Sequence, residues 1–86
     1  MPCKVVLEKK ADEDLAAMPS ASRRQVLRAI QERLAVSPLS FGKQLRYGLT
    51  HYRSLRVGDW RIAYRIVDDT VIIAHIELRR DAYKGW

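Results

Sequence analysis

The chain reads as an α+β domain of order β-α-α-β-β-β. A helical hairpin packs on one face of a small, mostly antiparallel sheet. Three observations predict this. Apolar residues recur at helical spacing through residues 9–35. They then alternate with polar and basic residues from residue 51 onward. Two turns, Gly58-Asp59 and Asp68-Asp69, divide that second half into three segments of strand length. A period near 3.6 followed by a period of two implies helices first and a sheet after them.

Cys3 to Glu8 is the first strand, centred on Val5, Val6 and Leu7. Lys9 to Met18 is a short helix, since Ala11, Leu15 and Met18 fall at i, i+4 and i+7, and Pro19 ends it. Ser22 reads as an N-cap with Gln25 completing a capping box. The helix that follows should bury Val26, Leu27, Ile30 and Leu34 and turn Arg23, Arg24, Arg28, Glu32 and Arg33 outward. Ser37-Pro38 stops it. A joint of three or four residues makes the two helices an antiparallel pair. Residues 39–50 are a loop rich in Gly, Ser and basic residues. Three strands follow, at His51–Val57, Trp60–Val67 and Thr70–Leu78, and a short helical turn is expected near Arg80.

Side chains alternate along a strand, so Trp60, Ile62, Tyr64 and Ile66 share the core face with Leu55 and Val57. The last strand is apolar on both faces, which marks it as central and leaves its orientation open. The exposed face of the sheet then gathers Tyr52, Ser54, Arg56, Arg61 and Arg65, with room for a ligand over Ser54 and Ala63. Arg56 and Arg61 flank one turn and would repel each other unless an anion, or the carboxylate of Asp59, lies between them.

Eighty-six residues form a single domain spanning 1–86, whose formal net charge is +6. Residues 40–86 hold nine of the sixteen Lys and Arg. A rigid cationic sheet face on so small a protein points to a phosphate-bearing partner, with RNA the simplest candidate. The single cysteine, Cys3, allows no internal disulfide and sits among strand residues without a local base, which favours a buried structural role in a reducing compartment. Val71 to Ala74 is too short an apolar run to span a bilayer, and the N-terminus shows no signal-peptide pattern. A cytoplasmic protein without membrane association is expected.

Gly42-Lys43-Gln44-Leu45, the run Leu55-Arg56-Val57-Gly58-Asp59-Trp60-Arg61-Ile62-Ala63-Tyr64-Arg65-Ile66, and the ending Ile76-Glu77-Leu78-Arg79-Arg80-Asp81-Ala82-Tyr83 resemble the RelE/ParE superfamily of toxins from type II toxin–antitoxin systems. The resemblance covers essentially the whole chain and is closest to the RelE branch. It implies a metal-independent endoribonuclease, without cofactor, that cuts messenger RNA in the ribosome, inhibits translation and is held inactive by an antitoxin. Arg61 resembles the arginine that contacts the scissile phosphate. Arg79 or Arg80 resembles the charge-stabilising arginine near the end of the last strand, and Tyr83 the C-terminal tyrosine that orients the nucleotide. Tyr52 and Ser54 stand where the best-studied RelE-type strand carries two lysines, so the family's general base is not reproduced.

Cleavage of RNA by its own 2′-hydroxyl requires a proton acceptor, stabilisation of the phosphorane and a proton for the leaving 5′-oxygen. Arg56 and Arg61 are expected to clamp the phosphate. Lys43, Arg46 and Arg53, with Arg65 and Lys84, extend the RNA-binding surface around Tyr52 and Ser54. His75 and Glu77 are the conventional acid/base residues near the end of the sheet. The structural alternatives are a packed strand histidine and an ion pair from Glu77 to Arg79 or Arg56. An antitoxin with an acidic or amphipathic segment, the ribosome and mRNA are the partners this reading implies. ParE-like inhibition of DNA gyrase without catalysis, or an inactive antitoxin-binding relic, are the alternatives on the same scaffold.

Overall fold

The computed structural model of the protein describes residues 3–44 and 51–78. Its elements are β1 (Lys4–Leu7), α1 (Lys9–Ala17), α2 (Ser20–Ala29), α3 (Pro38–Phe41), β2 (Lys43–Gln44), β3 (Arg53–Val57), β4 (Trp60–Val67) and β5 (Thr70–Leu78). The sheet has the order β1-β5-β4-β3-β2. β1 pairs with β5 in parallel, and every other pairing is antiparallel. The expected α+β architecture is therefore observed, with β2 and α3 added within the segment expected to be loop. Two and four residues are too few to show a periodicity. The C-terminal turn expected near Arg80 lies outside the described residues.

Ala11, Leu15 and Met18 of the first helical segment join Val26, Ala29, Ile30 and Leu34 against Leu55, Ile62, Tyr64, Val71, Ile73 and Ile76. One face of the sheet is thus the core face. Trp60 and Ile66 pack on the edge of the same cluster, as their parity with Ile62 and Tyr64 predicts.

Three local expectations are corrected. α2 begins at Ser20 behind Pro19, not at Ser22, which lies within the helix. The joint is held by Arg23 instead of a capping box. Its Nε donates to the Leu15 carbonyl at 2.8 Å and its Nη2 to the Met18 carbonyl at 3.0 Å. A guanidinium there satisfies the carbonyls that end α1 and lies at the negative end of its dipole. Leu27, expected in the core, is 37% exposed. The buried stripe runs Val26, Ala29, Ile30, and Leu27 stands about 100° off it. Beyond Ala29 the helix widens into a π turn at Ile30–Leu34, closed by Ala35 N–H donating to the Ile30 carbonyl at 2.8 Å. The wider turn still directs both Ile30 and Leu34 inward.

β5 explains its own two-faced sequence. Its register with β4 shifts between Ala63 and Tyr64: Ala63 opposes His75, but Tyr64 opposes Ile73. Ala74 is the extra residue of a bulge. Val71 and Ile73 face the core on one side of it, Ile76 on the other, so parity changes within one strand.

The Pro38–Gly42 segment is clasped to the sheet by two side chains. The Tyr64 hydroxyl donates to the Pro38 carbonyl at 2.6 Å. Arg53 Nη2 donates to the carbonyls of Leu39 at 3.0 Å and Gly42 at 2.6 Å. Burial pushes the Tyr64 phenol above its ordinary pKa, partly opposed by the nearby Arg53 guanidinium. A Cβ on Gly42 would overlap the Tyr64 hydroxyl. Gly42→Ala is therefore expected to destabilise the protein by about 1–3 kcal/mol. Tyr64→Phe should also destabilise, by leaving the Pro38 carbonyl without its donor. Because it removes the overlapping oxygen, the double variant should be less destabilised than the sum of the two. Urea unfolding of all three variants measures this.

Candidate functional site

Strand register lays out the face of the sheet opposite the helices. Arg56 on β3 opposes Arg61 on β4, which opposes Glu77 on β5. Two residues along, a second row runs Lys43, Ser54, Ala63 and His75 from β2 to β5. Neighbours within a row stand about 5 Å apart, and the rows about 7 Å. Ala63 is only 6% exposed yet lies outside the core cluster. It is the floor of this face, beneath longer neighbours.

A groove of about 350 Å³ opens at the β3 side. Lys43, Ser54, Arg56 and Arg61 line it from the sheet, and Arg33 and Phe41 from the helical layer. β2 pairs only with Arg53 and Ser54, so the Leu55–Val57 edge of β3 has no strand partner among the described residues. The groove wraps over that edge. Among the described residues it is lined by four cationic side chains and no carboxylate. Like charges opposite one another across a strand pair are destabilising unless an anion lies between them. Asp59, the carboxylate expected between Arg56 and Arg61, does not line this groove. The arrangement suits a phosphate group or the backbone of a nucleic acid.

The rest of the expected RNA surface divides. Ser54 and Lys43 are in the groove. Tyr52 is half-buried ahead of β3, and Arg65 is on the open face beyond Ala63, away from the groove lining. Arg53 shares the parity of Leu55, and its guanidinium is engaged by the Leu39 and Gly42 carbonyls, where it braces the groove wall. Arg46, Arg79, Arg80, Tyr83 and Lys84 lie outside the described residues. Arg33 and Phe41 were not legible as site residues, because only the tertiary fold brings α3 and the π turn beside β3.

A second polar cluster lies at the β5 side of the same face. Beyond Leu7, β1 no longer pairs with β5, and α1 covers that edge instead. Asp14 Oδ2 accepts the Ile76 N–H at 2.9 Å and lies 2.8 Å from His75 Nδ1. His75 Nε2 lies 2.9 Å from Glu77 Oε2. Lys10 Nζ donates to Asp14 Oδ1 at 2.6 Å. Glu77 bonds to His75 and makes no ion pair with Arg56, while Arg79, the other partner expected for it, lies outside the described residues. Burial works against the Asp14 charge, but the Ile76 N–H, Lys10 and His75 together hold its carboxyl below the ordinary value of 3.8. Among the described residues, no group of three or more His, Cys, Asp and Glu is arranged to hold a metal ion. No helix among them is long and apolar enough to cross a membrane.

The protein is a small five-stranded sheet with helices on one face and a cationic groove at its β3 side, and known proteins share this build. The family model described as the ParE toxin of type II toxin–antitoxin systems, parDE, matches residues 5–83. Toxin RelG of Mycobacterium tuberculosis is 35% identical over 98% of this chain and 99% of its own length. In the crystal structure of the toxin–antitoxin complex RelBE2 from Mycobacterium tuberculosis, one chain superposes with a TM-score of 0.87 at 33% identity, covering 92% of this chain and 93% of that one. The intact E. coli RelBE complex shares the fold, with a TM-score of 0.75 at 19% identity over 88% of this chain and 95% of that one. The protein belongs to the RelE/ParE superfamily of toxins from type II toxin–antitoxin systems.

Folded Asp14 binds its proton more weakly than the unfolded chain, so its interactions stabilise the fold fully above pH 3.8 and are lost as pH falls through the lower folded value. Asp14→Asn should cost about 1–3 kcal/mol at neutral pH, where a charge-assisted acceptor is lost. The gap between variant and wild type should close as pH drops below 3.8. Denaturant unfolding between pH 2.5 and 7 (roughly the span over which carboxylates titrate) measures it.

Proposed function

We propose that the protein is a ribosome-dependent mRNA endonuclease, restrained by a cognate antitoxin. The observation that supports this best is the groove in which Arg33, Lys43, Arg56 and Arg61 meet without a carboxylate among the described residues. Arg56 and Arg61 are opposed on adjacent strands, a spacing suited to gripping one phosphate from two sides. Phe41, 48% exposed at the rim, offers a ring on which a base can stack. Ser54 and Ala63 keep the floor low, so the sugar–phosphate backbone can approach the sheet. The likeness to RelG and to the toxin of RelBE2 supports the same branch, and the antitoxin in that complex supports a partner of the same kind here.

The chemistry follows from the groove. The 2′-hydroxyl of the bound message attacks the adjacent phosphorus. Negative charge builds on the non-bridging oxygens, where a fixed guanidinium stabilises the transition state more than the ground state. Neither arginine serves as a base, because guanidinium does not give up its proton near neutrality. The ribosome supplies orientation of the message.

The match to the ParE family model favours a second reading, non-catalytic inhibition of DNA gyrase. In vitro translation with primer extension on the message separates the two. Codon-spaced cuts that require ribosomes are expected, with no loss of gyrase supercoiling activity in a parallel assay. Arg61→Ala should reduce cleavage about a hundredfold while leaving the melting temperature within a few degrees. Arg61→Lys should recover little, since a point charge does not replace a planar fork. A folded Arg61→Ala protein that cuts as fast as wild type would rule out the groove as the phosphate site. Gyrase inhibition without cuts would select the second reading, and neither activity the inactive relic.

A further inference from the structure

We propose that His75 and Glu77 form the proton-carrying pair for the bond-breaking step, with Asp14 as the positioning residue that holds them. This rests on the mRNA-cleavage reading above. Each ring nitrogen of His75 faces a carboxylate oxygen, Asp14 Oδ2 at 2.8 Å and Glu77 Oε2 at 2.9 Å. A hydrogen bond of that length needs a proton between its heavy atoms. A neutral imidazole has one. With that proton on Nδ1 toward Asp14, the Nε2···Oε2 contact holds a second, carried by the ring or by the Glu77 carboxyl.

The two ends of the chain are not equivalent. Asp14 is tied down by the Ile76 N–H and by Lys10 as well as by His75. It anchors the ring and keeps its orientation. Glu77 is held only by His75 among the described residues, and its Oε1 is shielded from solvent without a hydrogen-bond partner there. The exchangeable proton therefore belongs to the Nε2···Oε2 contact. Register places this contact on the groove's face: Glu77 opposes Arg61, and His75 opposes Ala63 beside Ser54. The charged groups around the pair are Asp14 and Lys10 from α1, Arg61 from β4 and, one strand further, Arg56 from β3. β1 stops opposite Ile73 and contributes none at this level.

In the step, the 2′-oxygen bonds to phosphorus and the bond from phosphorus to the 5′-oxygen breaks. The proton of the Nε2···Oε2 contact passes to that 5′-oxygen. The products are a 2′,3′-cyclic phosphate and a 5′-hydroxyl end. The 2′-hydroxyl proton goes to solvent water, and solvent returns a proton to the pair.

The test uses the whole toxin on programmed ribosomes under single-turnover conditions. Two messages are compared, identical except that one carries sulfur in place of the scissile 5′-oxygen. A thiolate leaves without a proton. Glu77→Gln and His75→Gln should each slow cleavage of the oxygen message about a hundredfold. The sulfur message should be cleaved at nearly the wild-type rate by both. Asp14→Asn should lose less, and should shift the alkaline limb of the pH–rate profile, which a purely structural defect would not do. Equal slowing on both messages would reassign the cluster to folding, and no slowing on either would remove it from the reaction; each overturns the proposal. Wild-type toxin that cuts neither message overturns the endonuclease reading and this assignment with it. Wild-type toxin that cuts while both glutamine variants match it overturns the proton-carrying pair alone.

Discussion

The arrangement depends on a single extra residue, Ala74. Without the bulge, a strand of nine residues would keep one parity throughout. Val71 and Ile73 could then face the helices only if Ile76 turned to solvent, and His75 and Glu77 would be driven into the core. The bulge lets both ends of β5 contribute to the core while His75 and Glu77 emerge beside Arg61. It is stabilised from α1, where the Asp14 carboxylate takes up the backbone N–H of Ile76 on an edge that β1 has already left. A helix side chain thus completes a hydrogen-bond ladder, and the same carboxylate organises the imidazole. The strand backbone and the imidazole ring are both held by one atom, Asp14 Oδ2.

The groove at the other side of the sheet rests on hydrogen bonds to backbone carbonyls. Tyr64 reaches through the layer from the core face to the Pro38 carbonyl, and Arg53 closes the gap to Leu39 and Gly42. These bonds place Phe41 and Lys43 at the rim. An arginine expected to meet RNA is thus engaged in bracing the wall that its neighbours use. Charge alone does not say which guanidinium faces the groove. Strand parity does: Arg56 stands opposite to Leu55, whereas Arg53 shares its side.

Much of this was legible in the residues. The parity of Trp60, Ile62, Tyr64 and Ile66 sorted core from open face, and the Gly58-Asp59 turn set the register that opposes Arg56 to Arg61. Gly58 takes a φ of 58° and Asp68 a φ of 54°, backbone shapes that glycine and aspartate tolerate. What was not legible depends on distance along the chain. Asp14 and His75 are sixty-one residues apart, and nothing local marks either as the other's partner. Ser22 carries a good capping signal, but Arg23 reaching back to α1 fixed the joint earlier. Leu27 belongs to an apolar helix run, yet a helix buries only a stripe, and a one-residue step leaves it. In β5 the alternation was ambiguous because the strand itself changes face.

The neighbour of β1 is β5, the first strand beside the last. During synthesis, the parallel pairing that begins with Lys4 opposite Thr70 waits for nearly the whole chain to leave the ribosome. α1 and α2 can form earlier from local contacts, but the surface they bury on is completed only by β4 and β5. The bulge, the Asp14 anchor and the row containing Arg61 and Glu77 come into being together at that late moment. A nascent chain interrupted before Thr70 therefore carries the helices, Arg56 and Arg61 but not the assembled face. The face that carries Arg61 and Glu77 is therefore complete only once β5 has joined the sheet.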